Sequence, residues 1–275
     1  MKVLQVTRRR EAGEDSRRAF GLFRCLALLL LVGGTGGTAV QTARAQEVSA
    51  EEIVRRADAL TRGETQAGTY RMIIARPDWE RTMGFEYWSE GTEKTFIRVK
   101  EPVKERGVGF LKIKREMWQY VPRINRVIKI PPSMMLQSWM GSDFTNDDLV
   151  KESSIVDDYE HRLVGREAVE GGEAYKVELT PKPQTPVAWD RLFFWVRVED
   201  FVPLRAEYFN ERGERVRTML YMDVKAMGGR TLPTRFEILE EKEPGRKTVL
   251  VLEAVTFNKP IDPSIFTEQN LRRAR

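Results

Sequence analysis

Covalent catalysis needs a nucleophile, a base or a metal-binding cluster, and side chains able to supply them are sparse in this sequence. The single histidine, His161, stands between Glu160 and Arg162 in a polar, strand-like run. The only cysteine, Cys25, lies in an amino-terminal leader, and no serine sits on a nucleophile elbow. Gly107-Val108-Gly109 lacks the rest of a dinucleotide fingerprint and precedes a strand rather than a helix. The acids at 143–148 lack the alternate oxygen ligands and closing glutamate of a calcium loop, so a hydrated, side-chain-capped turn is expected. Asp157-Asp158 and Glu240-Glu241 read as turn or strand-edge charges. The expectation is a non-enzyme with no catalytic residue, metal or cofactor.

What the sequence does supply is large, flexible, apolar surface. After Pro131-Pro132, which cannot continue a sheet ladder, Met134, Met135, Leu136, Trp139 and Met140 recur at helical spacing before Gly141. This predicts a short apolar helix over 133–140. Methionine repacks cheaply, which suits a lid; an ordinary core helix capping a sheet fits the same pattern. A sheet face lined by Phe85, Tyr87, Phe96, Phe110, Trp118, Tyr120 and Phe194 must be covered. Two short helical covers are too few to fill a concave face, leaving room for an apolar ligand; the competing reading is helices packed flush.

The elements that would carry these residues follow from periodicity. Ser49 and Glu52 have capping-box spacing, and Ile53, Ala57 and Leu60 line one face of a helix that Gly63 ends. From Gly68 the period falls to two: Tyr70, Met72 and Ile74, then Met83, Phe85 and Tyr87, alternate with their neighbours as in an antiparallel meander. Strands continue through 110–114, 117–121 and 127–130. A second run is expected at 159–164, 174–179, 191–198, 203–209, 215–224, 235–239 and 248–257, with a stiff proline-rich loop at 181–186. No linker separates the two runs, so one domain with one large curved sheet over 46–275 is expected.

Residues 1–45 read as a cleaved export signal: arginines, an apolar stretch from Leu26 to Val32, then Ala43-Arg44-Ala45, with cleavage after Ala45. The apolar stretch is short of the about 20 residues of a transmembrane helix. Ser16-Arg17-Arg18-Ala19-Phe20 resembles a twin-arginine motif, so Tat and Sec routes both stay open. The leader holds eight basic and three acidic residues, a net of +5, which is the net of the whole chain. The remainder is formally neutral, so no nucleic-acid partner is expected from the basic pI.

Trp118-Gln119-Tyr120-Val121-Pro122, Arg126-Val127-Ile128-Lys129-Ile130 and Met140-Gly141-Ser142-Asp143-Phe144, followed by Asp148-Leu149, resemble the LolA-like lipoprotein-carrier superfamily. The closer likeness is to bacterial outer-membrane lipoprotein-sorting proteins, with weaker support from Tyr175-Lys176-Val177-Glu178-Leu179. The resemblance implies a mainly β, half-open barrel of one curved antiparallel sheet, whose concave face holds acyl chains under short lid helices. It implies a periplasmic carrier moving lipid or lipoprotein between inner and outer membranes, beside an inner-membrane RND-type transporter and an outer-membrane acceptor. The alternative in keeping with it is an envelope lipid-sensing or scaffolding subunit of such an exporter. A membrane-spanning barrel fares poorly, since Arg71, Glu80, Glu86 and Lys112 would face lipid.

Overall fold

Period-two alternation builds most of the chain, since each strand offers one side-chain row to an interior and the other to a second layer or to water. The structure is a computed structural model describing residues 48–150, 154–183, 185, 189–241, 243 and 245–273. The expected export signal lies outside the described residues, as do positions 184 and 186 of the proline-rich loop.

The first run comprises β1 (Thr65–Arg76), β2 (Trp79–Glu90), β3 (Lys94–Glu101), β4 (Gly109–Ile113), β5 (Glu116–Val121) and β6 (Arg126–Ile130). The second comprises β7 (Tyr159–Val169), β8 (Gly172–Pro181), β9 (Arg191–Arg197), β10 (Pro203–Phe209), β11 (Arg215–Met227), β12 (Arg230–Glu240) and β13 (Lys247–Phe257). Among the described residues, all 13 strands form one sheet, ordered β6-β5-β4-β3-β2-β1-β13-β12-β11-β10-β9-β8-β7. The pairing of β1 with β13 joins the two meanders, and β6 and β7 end the order, so the curved sheet stays open as expected.

One row of the inner face can be followed across the junction. Ile74 lies opposite Thr248, which lies opposite Ile238; the row continues through Met219, Ala206, Phe194 and Val177. Two covers lie on this face. The first is α1 (Ala50–Thr61), which buries Ile53, Val54 and Ala57 and packs against β7, β8, β9 and β12. Ser49 caps it by accepting from the Glu52 N–H at 3.2 Å, whereas the Glu52 carboxylate turns to Arg56. The second cover is the segment 131–150, ending in α2 (Asn146–Val150).

The expected helix over 133–140 is not formed. A single 3₁₀ turn (Pro132–Met134) leads into a loop that folds back on α2. The Asn146 N–H donates to Gln137 O at 3.0 Å, the Asp147 N–H to Met135 O at 3.0 Å, and the Trp139 N–H to Phe144 O at 2.8 Å. Backbone groups that a helix would pair locally are thus satisfied across the loop. Met140 and Gly141 turn the chain with φ of 50° and 78°, a conformation glycine adopts freely and methionine only at a cost.

The outer face of the first meander carries a layer the sequence reading missed. A 3₁₀ turn (Pro263–Phe266) and α3 (Glu268–Leu271) bring Phe266 and Leu271 onto Phe96, Leu111 and Tyr120. A Cβ on Gly109 would stand 2.8 Å from Leu271 Cδ1, so glycine lets this layer approach closely.

Candidate functional site

The motif at 140–149 is a clamp. The Asp143 side chain is wholly buried and receives hydrogen bonds from Arg76 Nη1 and Nη2 at 3.0 Å, Arg246 Nε at 2.7 Å and Thr248 Oγ1 at 2.7 Å. Arg76 also donates to Gly141 O at 3.0 Å, and Arg81 donates to Met140 O. Five residues on, Asp148 takes both arms of Arg217 at 2.8 Å. The Arg217 guanidinium lies against both Trp189 and Tyr208, with its central carbon 4.6 and 4.2 Å from their ring centres. Burial alone would raise the Asp148 pKa; the Arg217 charge and hydrogen bonds outweigh it and hold the carboxyl below its ordinary value. Removing one member of such a pair strands the other charge, so the loop is fastened to β1, β11 and β13.

The clamp drives Trp139 into the inner face of the first meander. Its ring centre lies 5.3 Å from those of Phe85 and Phe110, and the residue is fully buried. Met135 packs beside it, and Met140 is half-buried against the same cluster. Tyr87 joins this core, and the Trp139 ring closes this part of the face against Phe85 and Phe110.

Beneath α1 the same face is hollow. A cavity of about 200 Å³ lies between α1, the 144–148 turn and strands β1, β7 and β9 to β13. Leu192, Phe194, Met219, Leu232, Phe236, Leu250 and Leu252 supply apolar walls, with the rings of Tyr70, Tyr159, Tyr208 and Tyr221 among them. Burial pushes all four tyrosine hydroxyls above their ordinary value, so they stay neutral. Gln66 Nε2 donates to Tyr70 Oη at 2.7 Å. Four charged residues stand at the wall: Arg62 lies 3.1 Å from Asp58, Asp148 is held by Arg217, and Asp147 is the fourth. Such a lining can bury a hydrocarbon chain and offer a few hydrogen bonds to a polar end. His161 stands apart from it on β7, its Nε2 2.7 Å from Ile155 O.

Of the twelve residues expected to form lid and cavity, one, Phe194, lines this space. Phe85, Tyr87, Phe110, Met135, Trp139 and Met140 belong to the filled half. Met134 and Leu136 face solvent, 38% and 55% exposed. Phe96, Trp118 and Tyr120 lie in the outer layer, because Trp88, Phe96, Leu111 and Trp118 pair directly across four strands and share one face. Alternation within a strand does not say which phase meets which in the neighbour, and β3 is buried on both faces. The tyrosines and Phe236 were missed. Tyr70 stood in the recognised alternation, but the others depended on knowing which strands α1 would cover.

Comparison with known proteins agrees with this architecture. A LolA superfamily protein from Nitrosomonas europaea is similar with a TM-score of 0.70 and 24% identity, over 81% of this chain and 99% of that one. A DUF1329 family protein from Desulfovibrio piger is similar with a TM-score of 0.73 and 24% identity, over 81% and 97% of the two chains. An outer membrane lipoprotein-sorting protein domain from Vibrio parahaemolyticus gives 0.71 and 20%, over 82% and 98%. No curated protein matches the sequence. A family model described as "-like: Uncharacterized protein" matches residues 91–273, two thirds of the chain. The chain therefore belongs to that family of uncharacterised proteins, and its fold is the LolA-like fold.

Proposed function

We propose that the protein is a periplasmic, non-catalytic carrier that buries an acyl chain of a lipid or lipoprotein beneath α1 and moves it between inner and outer membranes. The observation that carries this reading is the mainly apolar cavity beneath α1, beside a part of the same face into which Trp139 is packed. Each buried CH₂ group gains about 0.8 kcal/mol, with no reaction required. The cavity of about 200 Å³ is smaller than the roughly 300–1,000 Å³ of pockets that enclose drug-sized ligands, so a long chain needs the cover to lift.

The gate in this account is α1, not the methionine loop, which the clamp holds down. Arg230 fastens one end of α1 by donating to Ala59 O at 2.6 Å and Arg62 O at 2.7 Å, and apolar contacts hold the rest. Residues 1–45 supply export, by the Sec or Tat route, with cleavage after Ala45. The partners in this reading are an inner-membrane transporter of the RND class and an outer-membrane acceptor. Native mass spectrometry and lipid extraction of protein recovered from the periplasm test the reading. Co-purifying acyl species that are stripped and taken up again are expected; preparations that arrive empty and take up no fatty acid refute it.

A further inference from the structure

Consecutive antiparallel strands put every second turn at the same end of a sheet, so the connections β1–β2, β3–β4 and β5–β6 share one end. In or directly after each stands an exposed apolar side chain: Trp79 at the start of β2 (47% exposed), Val103 (76%) and Ile124 (54%). The turns at the opposite end of these strands, Gly91-Thr92-Glu93 and Lys114-Arg115, carry none. Single exposed apolar residues are ordinary, but one per turn at one end and none at the other is a pattern. The end is slanted: β2 begins opposite Arg76, β3 stops opposite Gly84, and Tyr120 of β5 lies opposite Gly109.

Charge follows the same end. Residues 117–142 contain Arg123, Arg126 and Lys129 and no acid. Arg123 and Arg126 flank Ile124 and are exposed, while Lys129 pairs with Glu116. The other two tips are less basic: Trp79 stands between the exposed acids Asp78 and Glu80, and Arg81 pairs with Glu105 at 3.3 Å. Separate apolar tips on a slanted line, with cations beside the Ile124 tip, fit a fluid surface better than the continuous packed patch of a protein interface.

We propose that this end of the sheet docks on a bilayer containing anionic lipid, Trp79, Val103 and Ile124 entering the interface and Arg123 and Arg126 meeting headgroup phosphates. Tryptophan favours the headgroup level, and basic side chains gain near an anionic surface in a salt-dependent way. This surface lies outside the cavity, so the proposal goes beyond the carrier reading and stands or falls separately from it. The test is sedimentation of the full chain, as recovered from an expressing bacterium, with phosphatidylcholine vesicles with and without phosphatidylglycerol. Wild type should bind the mixed vesicles, more weakly at high salt. Trp79→Ser/Val103→Ser/Ile124→Ser should bind at least about tenfold less. Arg123→Gln/Arg126→Gln should lose the preference for phosphatidylglycerol while keeping the wild-type circular dichroism. Wild type that does not sediment with either vesicle, or a triple-serine variant that binds as wild type does, overturns the proposal.

Discussion

The two halves of the inner face are covered in opposite ways. The 131–150 segment is tied down by buried ion pairs at Asp143 and Asp148 and inserts Trp139 between Phe85 and Phe110. The helix α1 rests on apolar contacts and an arginine at its end, and leaves a space beneath it. The distinctive motif of the chain thus fixes the filled half and also lends Phe144, Asp147 and Asp148 to the wall of the hollow one. The cavity belongs to the half whose sequence looked ordinary.

Truncations should separate the halves most sharply. Trp139→Ala should cost about 3–5 kcal/mol of unfolding free energy in urea, since the clamp prevents the loop from collapsing into the void. Met219→Ala, at a wall that already lacks neighbours on one side, should cost about 2 kcal/mol or less by the same measurement. Equal costs would erase the distinction. Enlargements should show the reverse tolerance. Val99→Phe, in the filled half, should lose about 1–3 kcal/mol, whereas Leu252→Phe should lose less than about 1 kcal/mol because its ring can enter the cavity.

A smaller effect comes from pH. The Asp148 carboxyl is held below its ordinary value of 3.8, so its contribution to stability is complete above that value and is lost as pH falls below it toward the folded-state pKa. Acid titration followed by fluorescence should show the loop half loosening in that window. Asp148→Asn should start less stable and lose less as pH falls below 3.8.

The strands and their single sheet were legible because period-two alternation and turn residues are local signals. The layering was not. Phe96 and Trp118 looked like partners of Phe85, and only the cross-strand register places them under Phe266 and Leu271. The segment 133–140 looked helical because Met135 and Trp139 are spaced by four and both point inward, yet a loop closed by Phe144 and Asn146 produces the same burial. The clamp was visible as a motif but not as a mechanism, since its arginines come from positions 76, 217 and 246.

The central claim is that hydrocarbon enters beneath α1 rather than beneath the methionine loop. Titrating delipidated protein with a fluorescent fatty acid, wild type beside Leu252→Trp and Met135→Trp, tests it directly. Filling the space at Leu252 should weaken binding about tenfold or more, and the change at Met135 should leave the affinity near that of wild type. Wild-type affinity in Leu252→Trp, with binding lost in Met135→Trp, would contradict the account.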